Sequence, residues 1–161
     1  MDIIERFQNN LLLIRRAAGW TAEEFGNKIG VTRQTINNLE RKGTAITMNK
    51  TVYIAMRAVL EDEIRNNPDD TQMLNDILEI FVDHPNQYEE SKRQELLSKA
   101  NMIAPSILAK NSEVTRKDAS IMWSESITTM LLGAAAVAAL AISKKKNEDA
   151  MEWLNPFKNI D

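Results

Sequence analysis

The sequence predicts an all-α protein, with a head of short helices over residues 1–66 and a helical C-terminal region over 67–161. Three observations point there. Apolar residues return every three or four positions along most of the chain, the repeat of a helix with one buried stripe. Capping residues and glycines alternate through the first third: Thr21 and Thr32 stand where helices start, and Gly19, Gly30 and Gly43 where they stop. Near the end, the run from Ile127 to Ile142 is uncharged and rich in alanine, the best helix former.

Asp2 to Ala18 reads as one helix, with Ile3, Ile4, Phe7, Leu11, Ile14 and Ala18 as its apolar stripe and Gly19 closing it. Arg15 and Arg16 stand near its end, where positive charge suits the helix dipole and a phosphate is within reach. Trp20 is expected in the core beneath the next two helices. Thr21, with Glu24 three residues on, forms a capping box, and Phe25 and Ile29 share the inward face of the helix it opens. Gly30 stops that helix in a left-handed conformation, Val31 turns inward, and Thr32 caps a second helix that runs to Lys42 and ends at Gly43. Ile36 and Leu39 form its inward side. After a loop from Thr44 to Met48, the stretch Asn49–Asn66 contains neither Gly nor Pro. It carries Val52, Met56, Val59, Leu60 and Ile64 at helical spacing, so one long helix is predicted.

Arg33, Gln34, Thr35, Asn37, Asn38 and Arg41 are left on the outward side of the Thr32–Lys42 helix. An ordinary surface helix carries Glu, Lys and Ala, which are good helix formers. Arg, Gln and Asn instead end in forked or amide groups that pair with purine edges in the major groove. The run Gly30-Val31-Thr32, Arg33-Gln34-Thr35, Ile36, Asn37-Asn38, Leu39-Glu40 and Gly43 resembles the helix-turn-helix of phage-repressor and Cro-like regulators, the XRE family, over about residues 11–64. The resemblance implies a five-helix DNA-binding head whose second motif helix enters the major groove. This chain departs from the family pattern at Gly26, where the family usually has an Ala packing one helix on the other. Gly fits there but loosens the helix by roughly 0.5–1 kcal/mol. Ala22 replaces a Gln that touches phosphate in many members, so that contact is not expected. The family also usually has two short helices where this chain predicts one long one.

Arg33, which can bond a guanine O6/N7 edge bidentately, and Gln34, which can do the same at adenine N6/N7, are the first candidates for base contacts, with Asn38 one turn on as the third. Arg15, Thr32, Thr35, Asn37, Arg41, Lys42 and Lys50 are the candidates for phosphate contacts, and Thr44 and Thr47 offer further donors. Double-stranded DNA is the implied partner. A homodimer paired through the C-terminal helices would read half-sites about 34 Å apart.

A net charge of −3 over 161 residues would oppose nucleic acid only if it were evenly spread. From Leu12 to Arg57 there are eight basic residues against three acidic, and from Asn66 to Ala119 six basic against ten acidic, a basic head on an acidic body. With no cysteine, disulfide frameworks and thiolate metal sites are excluded, and a reducing cytoplasm is the expected setting. No metal or cofactor is expected. Asp2 and Glu5 occupy what would be the positive region of a signal peptide. No nucleophile–base pair or phosphate-cradling loop occurs, so an enzyme is the least expected class.

Beyond a turn at Asn67-Pro68-Asp69-Asp70, Met73, Leu74, Ile77, Leu78 and Phe81 predict another amphipathic helix, ended by Asp83-His84-Pro85. Pro85 suits the first position of the next helix, whose inward edge is Leu96, Leu97, Ala100 and Ile103. The carboxylates of 67–111 are expected on solvated faces, and His84, the single histidine, on polar surface. Two readings stay open for Ile127–Ile142: a helix buried within its own domain or between subunits, or a membrane anchor through 121–142. The run has sixteen residues where a span needs about 20, and extending it backwards meets Glu125, which favours the buried helix. Trp153, Leu154, Phe157 and Ile160 would fold back over it or lie at a lipid interface. Two other functions compete with a DNA-binding regulator: a protein-interaction module or phage-type inhibitor using the acidic C-terminal region, and a membrane-tethered regulator.

Overall fold

Five helices build residues 1–66 in the computed structural model, which describes residues 1–109, 111–130 and 152–157. Helix α1 (Ile3–Asn9) is opened by a capping box: the Asp2 carboxylate accepts the Glu5 N–H, and the Glu5 carboxylate accepts the Asp2 N–H. Helix α2 (Leu11–Ala18) follows after a break, so the single helix expected over 2–18 is two. The cause is Asn10. Its side-chain amide donates to the Arg6 carbonyl at 2.8 Å, while its own N–H turns to Phe7. A polar side chain thus takes the carbonyl that helix continuation would use. The apolar stripe survives the break, with Phe7, Leu11, Ile14 and Ala18 all buried.

Helix α3 (Ala22–Ile29) starts at the Thr21–Glu24 capping box and stops at Gly30, whose φ of +79° is left-handed. Thr32 caps α4 (Arg33–Glu40) by accepting the Thr35 N–H. This helix is shorter than the predicted Thr32–Lys42, because Arg41 leaves it extended at φ −65° and ψ 123°. Asn49 caps α5 (Lys50–Asn66), which runs its 17 residues unbroken as the absence of Gly and Pro required.

In the C-terminal region, α6 (Gln72–Ile77) passes directly into a π-helical segment, Leu78–Asp83. Pro85 opens only a three-residue 3-10 turn. Tyr88 is extended, and α7 starts later than predicted, at Glu90, running to Ile103. A 3-10 turn (Ala104–Ile107) and α8 (Arg116–Met130) follow, and Glu152–Phe157 form a last 3-10 turn. No strand occurs among the described residues. No helix among them is long and apolar enough to cross a membrane. Most of the Ala-rich stretch, residues 131–142, lies outside the described residues, as does Ile160.

One hydrophobic cluster runs through both halves of the chain, from Phe7 and Leu11 in the head to Leu96 and Trp123 in the C-terminal region. Polar ties cross with it. Arg6 donates to the Val82 carbonyl at 2.7 Å. Arg57, counted among the basic residues of the head, is fully buried. It bonds Asp83 bidentately at 2.8 and 2.5 Å and Glu61 at 2.8 Å. Burial disfavours its cation, but the two carboxylates outweigh that and hold the guanidinium charged. Arg116 at the start of α8 reaches back to the Ala18 carbonyl at 3.1 Å and to Glu63 at 2.7 Å. The tail turn closes on α5: the Trp153 ring meets Tyr53 edge-on at 6.2 Å, and Phe157 lies 5.7 Å from the same ring.

Two expectations for this half are corrected. Asp76 and Glu79 are not on solvated faces but only 8% and 2% exposed. Asp76 is held by the Gln72 amide at 2.9 Å and the Trp123 indole N–H at 3.0 Å. His84 is not plain polar surface either, since its Nδ1 lies 2.5 Å from Glu79 Oε1 and the residue is half-buried. A buried carboxylate is tolerated where hydrogen-bond partners replace water.

Candidate nucleic-acid interface

The placement of α4 depends on how closely α3 approaches the turn after it. A methyl group on Gly26 would stand 2.6 Å from the Val31 carbonyl oxygen and 3.3 Å from the Thr32 carbonyl carbon. The Val31 N–H meanwhile donates to the Gly26 carbonyl at 3.0 Å. Gly26, where the family resemblance puts alanine, is therefore what lets backbone meet backbone here. Below the crossing, Phe25, Ile36 and Leu39 are buried, and Trp20 packs on Phe25 at 5.5 Å, in the core as expected. Lys28 covers the Trp20 ring at 4.6 Å.

With Ile36 and Leu39 pointing inward, α4 must turn its remaining residues outward. Thr32, Arg33, Gln34 and Asn37 are exposed, and Thr35 and Asn38 are half-buried beside them. Gln34 donates from Nε2 to Asn38 Oδ1 at 3.0 Å, a pair one helical turn apart. That bond uses one of the two Nε2 hydrogens. The second, together with Oε1, has the donor–acceptor spacing an adenine edge requires. Thr32 and Thr35 hydroxyls are 3.0 Å apart at the start of the helix. Arg33, Arg41 and Lys42 are exposed and make no side-chain hydrogen bond or ion pair among the described residues.

Arg15 stands apart from the other phosphate candidates. Its guanidinium forms a two-pronged bridge to Glu40, through Nε to Oε1 and through NH2 to Oε2 at 2.9 Å, and donates to the Trp20 carbonyl at 3.0 Å. Its side chain is 12% exposed, so it braces the end of α4 against α2. Lys50 is half-buried, with Nζ 4.8 Å from the centre of the Phe157 ring. Among the eight basic residues from Leu12 to Arg57, Arg15 and Arg57 are thus neutralised internally. The head's outward field rests on Arg16, Lys28, Arg33, Arg41, Lys42 and Lys50.

One participant had no signal in the sequence. Gln8, on the polar side of α1, belongs to no motif, yet its amide bonds the Leu39 carbonyl in the last turn of α4 and two backbone groups, at Ile46 and Met48, in the loop between α4 and α5. Among the described residues, no group of His, Asp or Glu is arranged to hold a metal ion.

A helix-turn-helix family model matches residues 11–50, the span from the start of α2 to the first residue of α5. No curated protein and no solved structure matches the chain. The matching family is the XRE type of helix-turn-helix, a DNA-binding domain, and the match takes in residues 11–50 of the 161.

Proposed function

We propose that this protein is a sequence-specific transcriptional regulator that lays α4 in the major groove of duplex DNA and acts as a homodimer. The observation that carries the reading is the division of α4. Ile36 and Leu39 are sunk in the core, while Arg33, Gln34 and Asn37 face solvent on the helix-turn-helix scaffold. Arg33 and Gln34 read bases, and Asn38 both holds Gln34 and offers the third base contact. Thr32, Thr35, Asn37, Arg41, Lys42 and Lys50 meet phosphates and set the register. Arg15 serves the interface from behind, through Glu40. Pairing through the C-terminal helices is supported by Met102 on α7 and Ile121 and Met122 on α8, large apolar side chains that stand exposed. Such a protein works in the cytoplasm, where its DNA is.

The test is selection of bound duplexes from a random pool by the purified chain, followed by two variants. Arg33→Ala should cost about 1–3 kcal/mol and relax the preference at one base position. Lys42→Ala should weaken all sequences alike and reduce the salt slope by about 1. If both variants give the same sequence-blind loss, Arg33 is not a base reader. If the chain selects no sequence, the regulator reading is wrong.

A further inference from the structure

We infer that Gln8 is the positioning residue of the phosphate-contacting loop, the group that holds residues 41–48 in the shape DNA binding requires. The inference rests on the DNA-binding reading above and adds to it a residue outside the helix-turn-helix. The loop carries Arg41, Lys42, Thr44 and Thr47, all but Thr44 exposed. Its own hydrogen bonds are local: the Thr44 N–H donates to the Arg41 carbonyl at 3.2 Å, and the Ile46 N–H to the Thr44 hydroxyl at 3.2 Å. Bonds of that kind shape a turn but do not fix where it points. Packing does little more, because a groove of about 500 Å³ separates α1 from the loop, and Ile46 is exposed.

Gln8 supplies the missing restraint. Its Nε2 donates to the Ile46 carbonyl at 2.8 Å and to the Leu39 carbonyl at 3.3 Å, and its Oε1 accepts the Met48 N–H at 2.8 Å. Both amide hydrogens and the amide oxygen are therefore used. Leu39 lies in the last turn of α4, where helix carbonyls lack intrahelical donors, and Met48 is the buried anchor just before α5. One side chain on a third helix thus ties both ends of the loop. Only a primary amide of this length can do so: a carboxylate has no donors, an aliphatic chain has neither function, and Asn is one methylene short. Without the tie, the loop samples more conformations, and each phosphate contact must meet the cost of ordering it at the moment of binding. That cost is blind to base sequence.

The experiment compares full-length wild type with Gln8→Met, which keeps the length and removes the amide. Two quantities are read: hydrogen exchange at the Met48 amide, and equilibrium binding to a selected and a random duplex across salt concentrations. The expected result is faster Met48 exchange with Tyr53 still protected, about tenfold weaker binding to both duplexes at each salt concentration, an unchanged ranking of sequences, and the wild-type salt slope, since the same phosphates are met. Gln8→Asn, which keeps the amide but is too short to reach, should give the same pattern, so the test stands even where Gln8→Met does not fold. Wild-type binding strength in a folded variant, unchanged Met48 exchange, or an altered base preference would each overturn the role of Gln8. A wild-type chain that binds no duplex would instead sink the DNA-binding reading, and this role along with it.

Discussion

Gly26→Ala sets two known effects against each other at the crossing that aims α4. In an ordinary helix interior the change would stabilise by about 0.5–1 kcal/mol, since glycine loses more backbone freedom on folding. Here the new methyl would sit 2.6 Å from the Val31 carbonyl oxygen, where carbon contacts are comfortable near 3.5 Å. Roughly 0.9 Å must be found, and neither side yields easily. The obstacle is backbone, and the Val31 N–H is bonded to the Gly26 carbonyl at the same point. Forced insertion of a methylene into packed structure costs about 1–3 kcal/mol. The balance is a net destabilisation of up to about 2.5 kcal/mol, or a few degrees in Tm for a chain of this size. Urea unfolding followed by tryptophan fluorescence measures it directly. DNA selectivity should fall as well, because relief moves the Val31-Thr32 turn from which α4 starts. A variant more stable than wild type by about 1 kcal/mol would refute the reasoning, since the helix-propensity gain would then be unopposed.

Arg57→Met removes the buried bidentate partner of Asp83, and breaking a buried pair from one side costs about 3–5 kcal/mol. A loss under about 1 kcal/mol in the same unfolding assay would show that this bridge does not tie α5 to the Leu78–Asp83 segment. The two tyrosines give an alkaline signature. Burial, the largest cause for each, pushes Tyr53 and Tyr88 up to about 12, with Arg57 opposing it at Tyr53 and Glu79 adding to it at Tyr88. The fold therefore keeps both phenols neutral while the unfolded chain ionises near pH 10, so their contribution is full below about pH 10 and is lost as pH rises towards 12. Tyrosinate absorbance at 295 nm should rise together with unfolding. Its appearance near pH 10, with near-ultraviolet circular dichroism unchanged, would mean the rings are not enclosed.

What the sequence made legible was local. Thr21 with Glu24, Gly30, and Thr32 specify helix ends through groups a few residues apart, and they fall where expected. The unbroken α5 follows from the absence of Gly and Pro in its span. The break at Asn10 was hidden because both outcomes bury the same stripe, and only the Asn10 amide on the Arg6 carbonyl decides between them. Formal charge misled for a different reason. Arg15 and Arg57 count as positive, but Glu40 and Asp83, which neutralise them, lie 25 and 26 residues away and come near only in the fold. The same distance hid Gln8, whose partners at Leu39, Ile46 and Met48 are backbone groups with no residue signature. Gly26 could be read only as a departure from a family pattern, because a close approach leaves no mark on composition. Asp76 and Glu79 look solvated until Trp123 and His84 are brought to them.

These long-range ties bear on how the head works. Arg116 lies across Gly19, its Cδ 2.9 Å from where a Cβ would stand, and donates to the carbonyl of Ala18, the last residue of α2. Gly19 and Trp20 are the link from α2 to α3, and Trp20 packs under Phe25, one residue from the Gly26 crossing. The Trp20 carbonyl also takes a bond from Arg15, whose other donors hold Glu40 at the end of α4. A continuous chain of packed and bonded groups thus joins α8 to both ends of α4. Releasing Arg116 would leave the Ala18 carbonyl without its donor and open the space over Gly19, at the corner on which α3 and α4 are seated. The corner on which α3 and α4 are seated is therefore built from residues of both halves of the chain, held by direct contacts.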